Sequence, residues 1–483
     1  MLCYKCGWTG RVNVTLQGLQ FPERCLGEWK MKMEKQLITH IRERTYADLP
    51  QAAVDAARRE VLWALGTSVA GAGAEGSDRI AAFVRQQGGR EESTLIGFGD
   101  RLPATLAGLA NGSFAKALEY EDKFWMDEGH GYAIGAAVVP AAFAIAEHLG
   151  GVDGKTFLTA VALATDLQAR LVVGDIDIGW NATYVFSVIG ATMAAAKLMG
   201  LDEEQFTNAM GLAYAQLAGN SQSAAEGVLA VRIQLGFGVR NGITAAQLAR
   251  QGITGAQHFL TGKFGLYSLV FKDQEVDLDA PTRDLGRTFL GIRLGFKAYP
   301  CGAVAHPVLD AVLSLLGRDG VTAHSIEAVQ VFGTPRLKIM VEPREVRQNP
   351  KSHIETEFSL PWAVACLIVD GKLSLSHFRA EALRNRRYAE LARKVESDMD
   401  DSRHGVWVEM KLKDGRTVKS RRVLGAKGHP DNPQSTEEMV DKYRDCVQHG
   451  PKALSRERTE QAKDMILHLD EVPDVAEIIR LLG

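Results

Sequence analysis

The chain has 483 residues, too many for one ordinary hydrophobic core, so two domains are expected. Its 46% hydrophobic and 24% charged content is that of a water-soluble globular protein, and a formal net charge of -3 gives no electrostatic reason to expect nucleic acid or an anionic membrane as partner. Apolar runs such as residues 133–146 are too short and too rich in Ala and Gly to span a bilayer. The six cysteines, at 3, 6, 25, 301, 366 and 446, are too scattered for a disulfide framework and fit a reducing, cytoplasmic setting. Cys3 and Cys6 have the spacing of half a zinc site, but no second pair of ligands follows, so no metal is expected.

In chain order, residues 1–33 read unlike the rest and are taken as a disordered extension or a start-site artefact, because helical periodicity begins near Glu34 just after Met31 and Met33. Residues 34–292 are almost wholly helical in pattern. Apolar residues recur at three and four through Ala52–Leu65, 137–150, 154–172, 188–199 and 203–218, with Gly, Asn or Asp at the junctions. Ala and Gly dominate these helices, which favours close backbone approach in a tight bundle. Asp166 and Arg170, four apart, form an ordinary ion pair on an apolar helix. The Gly71-Ala-Gly73-Ala-Glu-Gly76 run lacks the lysine and preceding strand of a phosphate-binding loop.

The pattern changes in residues 293–428. Ser325–Phe332 and Val406–Lys413 alternate as half-buried strands, Asp414-Gly415 turns a hairpin, and Thr417–Val423 returns. Helices are expected at 304–316, 360–369 and 376–383, making a smaller α+β unit that covers the helical domain like a lid. Gly428-His-Pro-Asp-Asn-Pro433 breaks the chain, Ser435-Thr-Glu-Glu438 opens a capped helix, and residues 429–483 return to the helical domain. The fold class is therefore mainly α, with a large helical domain interrupted by an inserted α+β domain and a cleft between them suited to a ligand.

Two stretches carry the chemistry: Lys116-Ala-Leu-Glu-Tyr-Glu-Asp-Lys-Phe-Trp-Met-Asp-Glu-Gly-His130, read as an acid-rich turn with a lone histidine, and Gly295-Phe-Lys-Ala-Tyr-Pro-Cys-Gly-Ala-Val-Ala-His306. With Gly200-Leu-Asp-Glu-Glu-Gln205, Arg240-Asn-Gly242, Gly262-Lys-Phe-Gly265, Phe358-Ser-Leu-Pro-Trp-Ala363 and Gly428–Pro433, in that order, they resemble the MmgE/PrpD family from residue 34 to about 475. That family includes 2-methylcitrate dehydratases, cis-aconitate decarboxylases and an iminodisuccinate epimerase. The resemblance implies a cofactor-independent enzyme, a small carboxylate substrate and a homodimer formed through the helical domains.

Carried over residue by residue, the family's Ala-Leu-Asp-Phe-Asp-Asp-Thr run places its first acid at Glu119 and its threonine at Lys123, and the histidine that follows at His130. The motif lysine is Lys297. A family His-Pro-Thr element reads Asn181-Ala182-Thr183, and a Lys-Arg pair reads Val231-Arg232, so one histidine and one lysine are replaced. His353 falls near a family aromatic position.

The family's chemistry removes a proton from carbon next to a carboxylate, which needs a positioned base and cationic or hydrogen-bonding groups around the developing anion. His130 is the first choice for proton transfer, since its charge changes near neutral pH; the bland alternative is a structural histidine. Lys297 stabilises the anion, or is a hinge residue with a solvated ammonium. Glu119 orients His130 or Lys297, acts itself as base, or is a surface acid. Lys123 restores positive charge lost at Val231, or is an exposed loop residue. Asn181 and Arg232 are candidate carboxylate binders. Cys301, His306 and His353 complete the substrate-binding set, with helix entry the competing role for His306 and nothing nearby to activate Cys301 as a nucleophile. The resulting expectation is a 2-methylcitrate dehydratase-like hydro-lyase. The alternatives are an epimerase of an amino- or imino-dicarboxylate, a decarboxylase, or a binding protein with a degenerate site.

Overall fold

The computed structural model describes residues 23–483 except 128, 129, 175, 177, 178, 273 and 319; the side chains of 23–32, 127 and 130 are also outside the description. Cys3, Cys6 and residues 1–22 therefore lie outside the described residues. The first helices are α1 (Glu23–Glu43), α2 (Gln51–Ala72), α3 (Ser77–Gln87) and α4 (Ala104–Lys116). Next come α5 (Gly135–Leu149), α6 (Gly154–Leu171), α7 (Ala182–Val185), α8 (Ser187–Leu198) and α9 (Glu203–Tyr214). Short α10 (Gln222–Glu226), long α11 (Ala230–Arg250) and short α12 (Leu266–Val270) complete the bundle. Every residue of α5 from Gly135 to Glu147 is buried, as is α6 from Phe157 to Leu171. Helices buried all round need small side chains on the faces where neighbours approach, and the Ala-rich composition supplies them. The Asp166–Arg170 pair is buried at 2.8 Å; it pins the loop after the bundle, with Arg170 donating to the Arg283 carbonyl and Asp166 accepting from Leu290 N–H.

Two expectations from periodicity are corrected here. The acidic stretch after α4 is a turn only through Glu121; from Asp122 it is a strand, β3 (Asp122–Asp127), following the two-residue β1 (Ser93–Thr94) and β2 (Arg101–Leu102). β3 lies between β4 (His130–Tyr132) and β5 (Leu294–Phe296), both antiparallel, so a three-stranded sheet intrudes into the helical region. Its residues do not alternate apolar and polar because charged Asp122 is buried, which hides a strand from a periodicity argument. The expected helix at 376–383 is two separate 3₁₀ turns, Leu375–Phe378 and Ala382–Arg384; His377 folds back on the Ser374 N–H and contacts Asp370, ending any helix there.

The second half begins with α13 (His306–Leu313) and β6 (Ile326–Gly333), then the short helices α14 (Lys338–Val341), α15 (Arg344–Gln348) and α16 (His353–Glu357). Apolar α17 (Leu360–Asp370) and α18 (Arg386–Ala392) precede β7 (Val395–Met399), β8 (Trp407–Leu412) and β9 (Thr417–Lys419). These strands form one sheet in the order β7-β6-β8-β9, with β6 and β7 parallel and the other pairs antiparallel. The chain closes with α19 (Thr436–Val447), α20 (Arg456–Leu467) and α21 (Ala476–Leu481); α19 and α20 pack on α2, and α21 on α5. No helix among the described residues is long and apolar enough to cross a membrane.

Candidate active site

β3 carries the acidic run into contact with the Lys297 segment. Its register pairs Asp122 with Phe296, Lys123 with Gly295 and Phe124 with Leu294, so the residue after β5, Lys297, meets the residues just before β3. The Gly428–Pro433 loop closes the other edge: Phe296 N–H donates to Gly428 O (2.9 Å) and Gln434 donates to Phe296 O (2.8 Å). Gly428 sits at φ +91°, and a Cβ there would lie 1.9 Å from the Phe296 carbonyl oxygen, so only glycine permits this pairing. Across the sheet, a Cβ on Gly131 would come within 2.3 Å of Phe124 O, which accounts for the glycine beside His130. The backbone of His130 opens β4; its imidazole lies outside the described residues.

The Lys297 ammonium is buried, and all three of its protons find acceptors: Glu119 O (2.8 Å), Glu119 Oε2 (3.0 Å) and Glu121 Oε1 (2.8 Å). The hinge reading with a solvated ammonium is therefore wrong. Lys116, the last residue of α4, contacts the other Glu119 oxygen and lies 3.3 Å from Glu121 Oε1. Glu119 is buried too, and takes φ +47°, a left-handed conformation that costs a residue with a side chain roughly 1–2 kcal/mol. The strain turns both its carbonyl and its carboxylate onto Lys297, a pattern typical of functional sites. Burial opposes ionisation of Glu121, but Lys116, Lys297 and the hydrogen bond from Lys297 outweigh it and hold the carboxyl at about 2. Lys116 is pushed down to about 8, first by burial and also by Lys297.

Asp122, next in sequence, points the other way. Its carboxylate accepts from the N–H groups of Ile134, Gly135 and Ala136, all at 2.9 Å, and so caps the start of α5. Lys123 is partly buried, 5.9 Å from the Trp125 ring, and burial followed by repulsion from Lys297 lowers it to about 7.

From the second half, the Tyr299–His306 turn and α16 complete the cluster. His306 Nε2 lies 3.3 Å from the Cys301 carbonyl, which can only accept, so the ring proton is assigned to Nε2. Burial and then Lys297 push His306 to about 3, leaving a neutral, hydrogen-bonding imidazole. Cys301 has no exposed surface, and burial pushes its thiol up to about 12, so it is not a thiolate nucleophile. The Gly302 N–H donates to Glu357 O (2.9 Å), which ties α16 to this turn.

Arg232 on α11 is buried, with one terminal nitrogen on the Glu75 carbonyl and the other 2.7 Å from His353 Nδ1. His353 is held near 3 by burial and by Arg232. Glu357 lies 3.3 Å from His353 Nε2 and 3.7 Å from Arg232, yet its carboxyl is raised to about 7: burial exceeds the attraction of Arg232, Lys116 and Lys297, and its Oε1 makes no hydrogen bond. Tyr184, buried beside this group, donates to Val231 O (2.8 Å), and its phenol is pushed up by burial and then by Glu121 and Glu357. Three buried atoms of this cluster have no hydrogen-bond partner: Glu121 Oε2, Arg232 Nε and Glu357 Oε1.

The structure thus gathers Glu119, Lys123, Arg232, Lys297, Cys301, His306 and His353, scattered over 235 positions of sequence, into one interior cluster. Asn181 is placed otherwise. Its side chain caps α7 by accepting from Thr183 N–H (3.1 Å), and it is partly exposed. Sequence reasoning missed Lys116, Glu121, Tyr184 and Glu357. The four-residue spacing of His353 and Glu357, which puts both on one helical face, was the available signal for Glu357. Two small crevices, one lined by Leu37, Met193 and Phe206 and one by Ala56, Glu60 and Phe289, include no residue of this cluster. Among the described residues no group of three His, Cys, Asp or Glu is placed to hold a metal ion.

Comparison with known proteins matches two segments of the chain. Residues 35–279 match the MmgE/PrpD N-terminal domain and residues 299–471 the MmgE/PrpD C-terminal domain. The chain is 24% identical over 479 residues to a cis-aconitate decarboxylase-like protein, oryM, of Aspergillus oryzae, covering 93% of this chain and 96% of that protein. It is 24% identical to a cis-aconitate decarboxylase of Aspergillus terreus (90% and 93% covered) and 23% identical to the cis-aconitate decarboxylase of Homo sapiens (90% and 91%). Matched by both family domains across most of its length, the chain belongs to the MmgE/PrpD family.

Proposed function

We propose that this protein is a lyase acting on a small di- or tricarboxylate, by proton transfer at carbon next to a carboxylate. The observation that carries the reading is the convergence of buried Lys116, Lys297 and Arg232, with partly buried Lys123 beside them, on three carboxyl groups. Buried cations in this number suit a multiply charged anion, and in a site shielded from water they stabilise charge that develops in the transition state. Lys297 stabilises the carboxylate-derived anion, Glu119 holds Lys297 in position, and Arg232 offers its unpartnered Nε to a second carboxylate. Lys123 supplies positive charge where Val231 has none to give. His130 is assigned the first proton transfer from its place in the family run. The reading invokes no cofactor, and a homodimer belongs to it by family resemblance.

Two finer reactions fit this chemistry. Loss of CO2 is favoured by the names of the relatives: the bond from carbon to a carboxylate breaks, the electron pair stays on carbon conjugated to a remaining carboxylate, and a proton is delivered there. Loss of water is supported by the unpartnered oxygens of Glu121 and Glu357, which are open to a hydrogen bond with a substrate hydroxyl. Incubation in deuterated water with cis-aconitate and with 2-methylcitrate, followed by proton NMR, separates them. Deuterium in the product with CO2 release from cis-aconitate identifies a decarboxylase, and conversion of 2-methylcitrate to an alkene with loss of water and no CO2 identifies a dehydratase. Absence of both turnover and exchange with a panel of di- and tricarboxylates would refute the lyase reading.

A further inference from the structure

We infer that Glu357 is the proton donor of this site, and that Arg232 and His353 are positioning residues set beside its carboxyl group. The inference rests on the lyase reading above for its substrate, but on geometry for the residue. An arginine can only donate, so the 2.7 Å contact from Arg232 to His353 Nδ1 makes that nitrogen the lone-pair side of the ring. The neutral imidazole then carries its proton on Nε2, which is the atom 3.3 Å from Glu357 Oε1. Arg232 is itself fixed by its second contact, to the Glu75 carbonyl. One guanidinium thereby sets the tautomer of the histidine, and the histidine faces the acid with a proton.

Glu357 Oε1 is buried and makes no hydrogen bond. A carboxylate in that position lacks the donors that normally hold its charge, so burial favours the protonated acid. The groups around it come from several elements. Arg232 on α11, Lys116 at the end of α4 and Lys297 after β5 favour ionisation, while Glu121 before β3 opposes it. Tyr184 and Cys301 are the neutral neighbours that feel its charge. The balance leaves the group at about 7, suited to giving up a proton at neutral pH. The backbone carbonyl of Glu357 also accepts from the Gly302 N–H, which joins α16 to the turn that follows Lys297.

In the step assigned to it, the Glu357 O–H bond breaks as a new bond to hydrogen forms on the atom that has gained an electron pair. That atom is carbon after loss of CO2, or the departing hydroxyl oxygen, which leaves as water. The resulting Glu357 carboxylate faces Arg232 at 3.7 Å and the Nε2 proton of His353, and a proton from bulk water restores the acid.

The test uses the full-length protein and the variants Glu357→Gln, Glu357→Asp and His353→Ala. With substrate, Glu357→Gln is expected to lower kcat about 100-fold or more at nearly unchanged KM. It should also abolish the fall in rate as pH rises through about 7; Glu357→Asp keeps that limb at a reduced rate, and His353→Ala displaces it. An infrared difference titration of wild type against Glu357→Gln, without substrate, should show a protonated-carboxyl band that disappears through neutrality. Wild-type kcat with an unchanged pH limb in Glu357→Gln overturns the inference, as does absence of the band. Lowered stability with the pH limb intact shows a structural role and overturns it too. If the wild type acts on none of the panel, the lyase reading fails, and the infrared band alone decides whether Glu357 holds a transferable proton.

Discussion

The Lys297–Glu121 contact allows a quantitative test of how the cluster is held together. Lys297→Met keeps the length of the side chain and removes all three donors, leaving the Glu119 carbonyl without its partner and both carboxylates with Lys116 alone. Breaking a buried ion pair from one side costs about 3–5 kcal/mol, and the surviving Lys116 places this change at the lower end. Glu121→Gln is expected to cost a similar amount, since it leaves two buried lysines sharing Glu119. Their direct hydrogen bond at 2.8 Å is charge-assisted, so the double variant should be about 1.5–3 kcal/mol more stable than the sum of the single losses predicts. Urea unfolding at neutral pH, followed by both tryptophan fluorescence and circular dichroism so that coincident transitions are verified, measures the cycle. Additivity within about 0.5 kcal/mol would refute the premise that these residues form one electrostatic unit. In the same variants, kcat/KM is expected to fall about 100-fold for Lys297→Met, the scale of losing one group that stabilises a developing anion.

Glu119→Gly and Glu119→Ala both remove the carboxylate, but only glycine fits φ +47° without strain, so the alanine variant should be less stable by about 1 kcal/mol in the same unfolding assay; equal midpoints would contradict the strain. Glu357 is raised from 4.5 to about 7, so the folded state binds its proton more tightly than the unfolded chain; the stabilisation is complete below about 4.5 and lost as pH rises through about 7. Wild type should accordingly lose up to about 3 kcal/mol relative to Glu357→Gln across that window, and a pH-independent difference would argue against the shift. Gly428→Ala forces a side chain onto the Phe296 carbonyl and should cost at least about 2 kcal/mol together with most of the activity, measured by thermal unfolding and turnover. Iodoacetamide should leave Cys301 unmodified in the native protein and label it after unfolding, as peptide mass spectrometry would show; rapid native labelling would mean the thiol is neither buried nor protonated.

How far the sequence could be read differs between fold and site. The helices came through because small-residue periodicity persists over many turns in α2, α5, α6 and α8, and the hairpin β8–β9 because Asp414-Gly415 marks its turn. β3 was hidden because its buried face carries Asp122, whose carboxylate is matched by three backbone N–H groups from α5, a long-range pairing that no local pattern records. β7 pairs in parallel with β6 after more than 60 intervening residues and left no turn signal. At the site, the family run located Glu119, Lys123 and Lys297, but not which of them are buried or who neutralises whom. Lys116 looked like an ordinary helix-end lysine, and Glu121 like one more acid in a charged stretch. Only tertiary contact turns them into partners. Asn181 shows the converse: a substitution that reads as an altered pocket residue is placed as a helix cap.

The pairing of β5 with β3 divides the cluster mechanically. Lys297 follows a strand hydrogen-bonded on one edge to the strand that carries Asp122 and Lys123, so it is fastened to the same slab of structure as Glu119 and Glu121. Glu357 and His353 ride instead on α16, joined to that slab through the Gly302 turn and through Arg232. Any parting of the two halves would leave the anion-stabilising lysine behind with its acids and carry the proton donor away. The site would then be armed only when shut, and a carboxylate bridging Arg232 and Lys297 would itself be the latch.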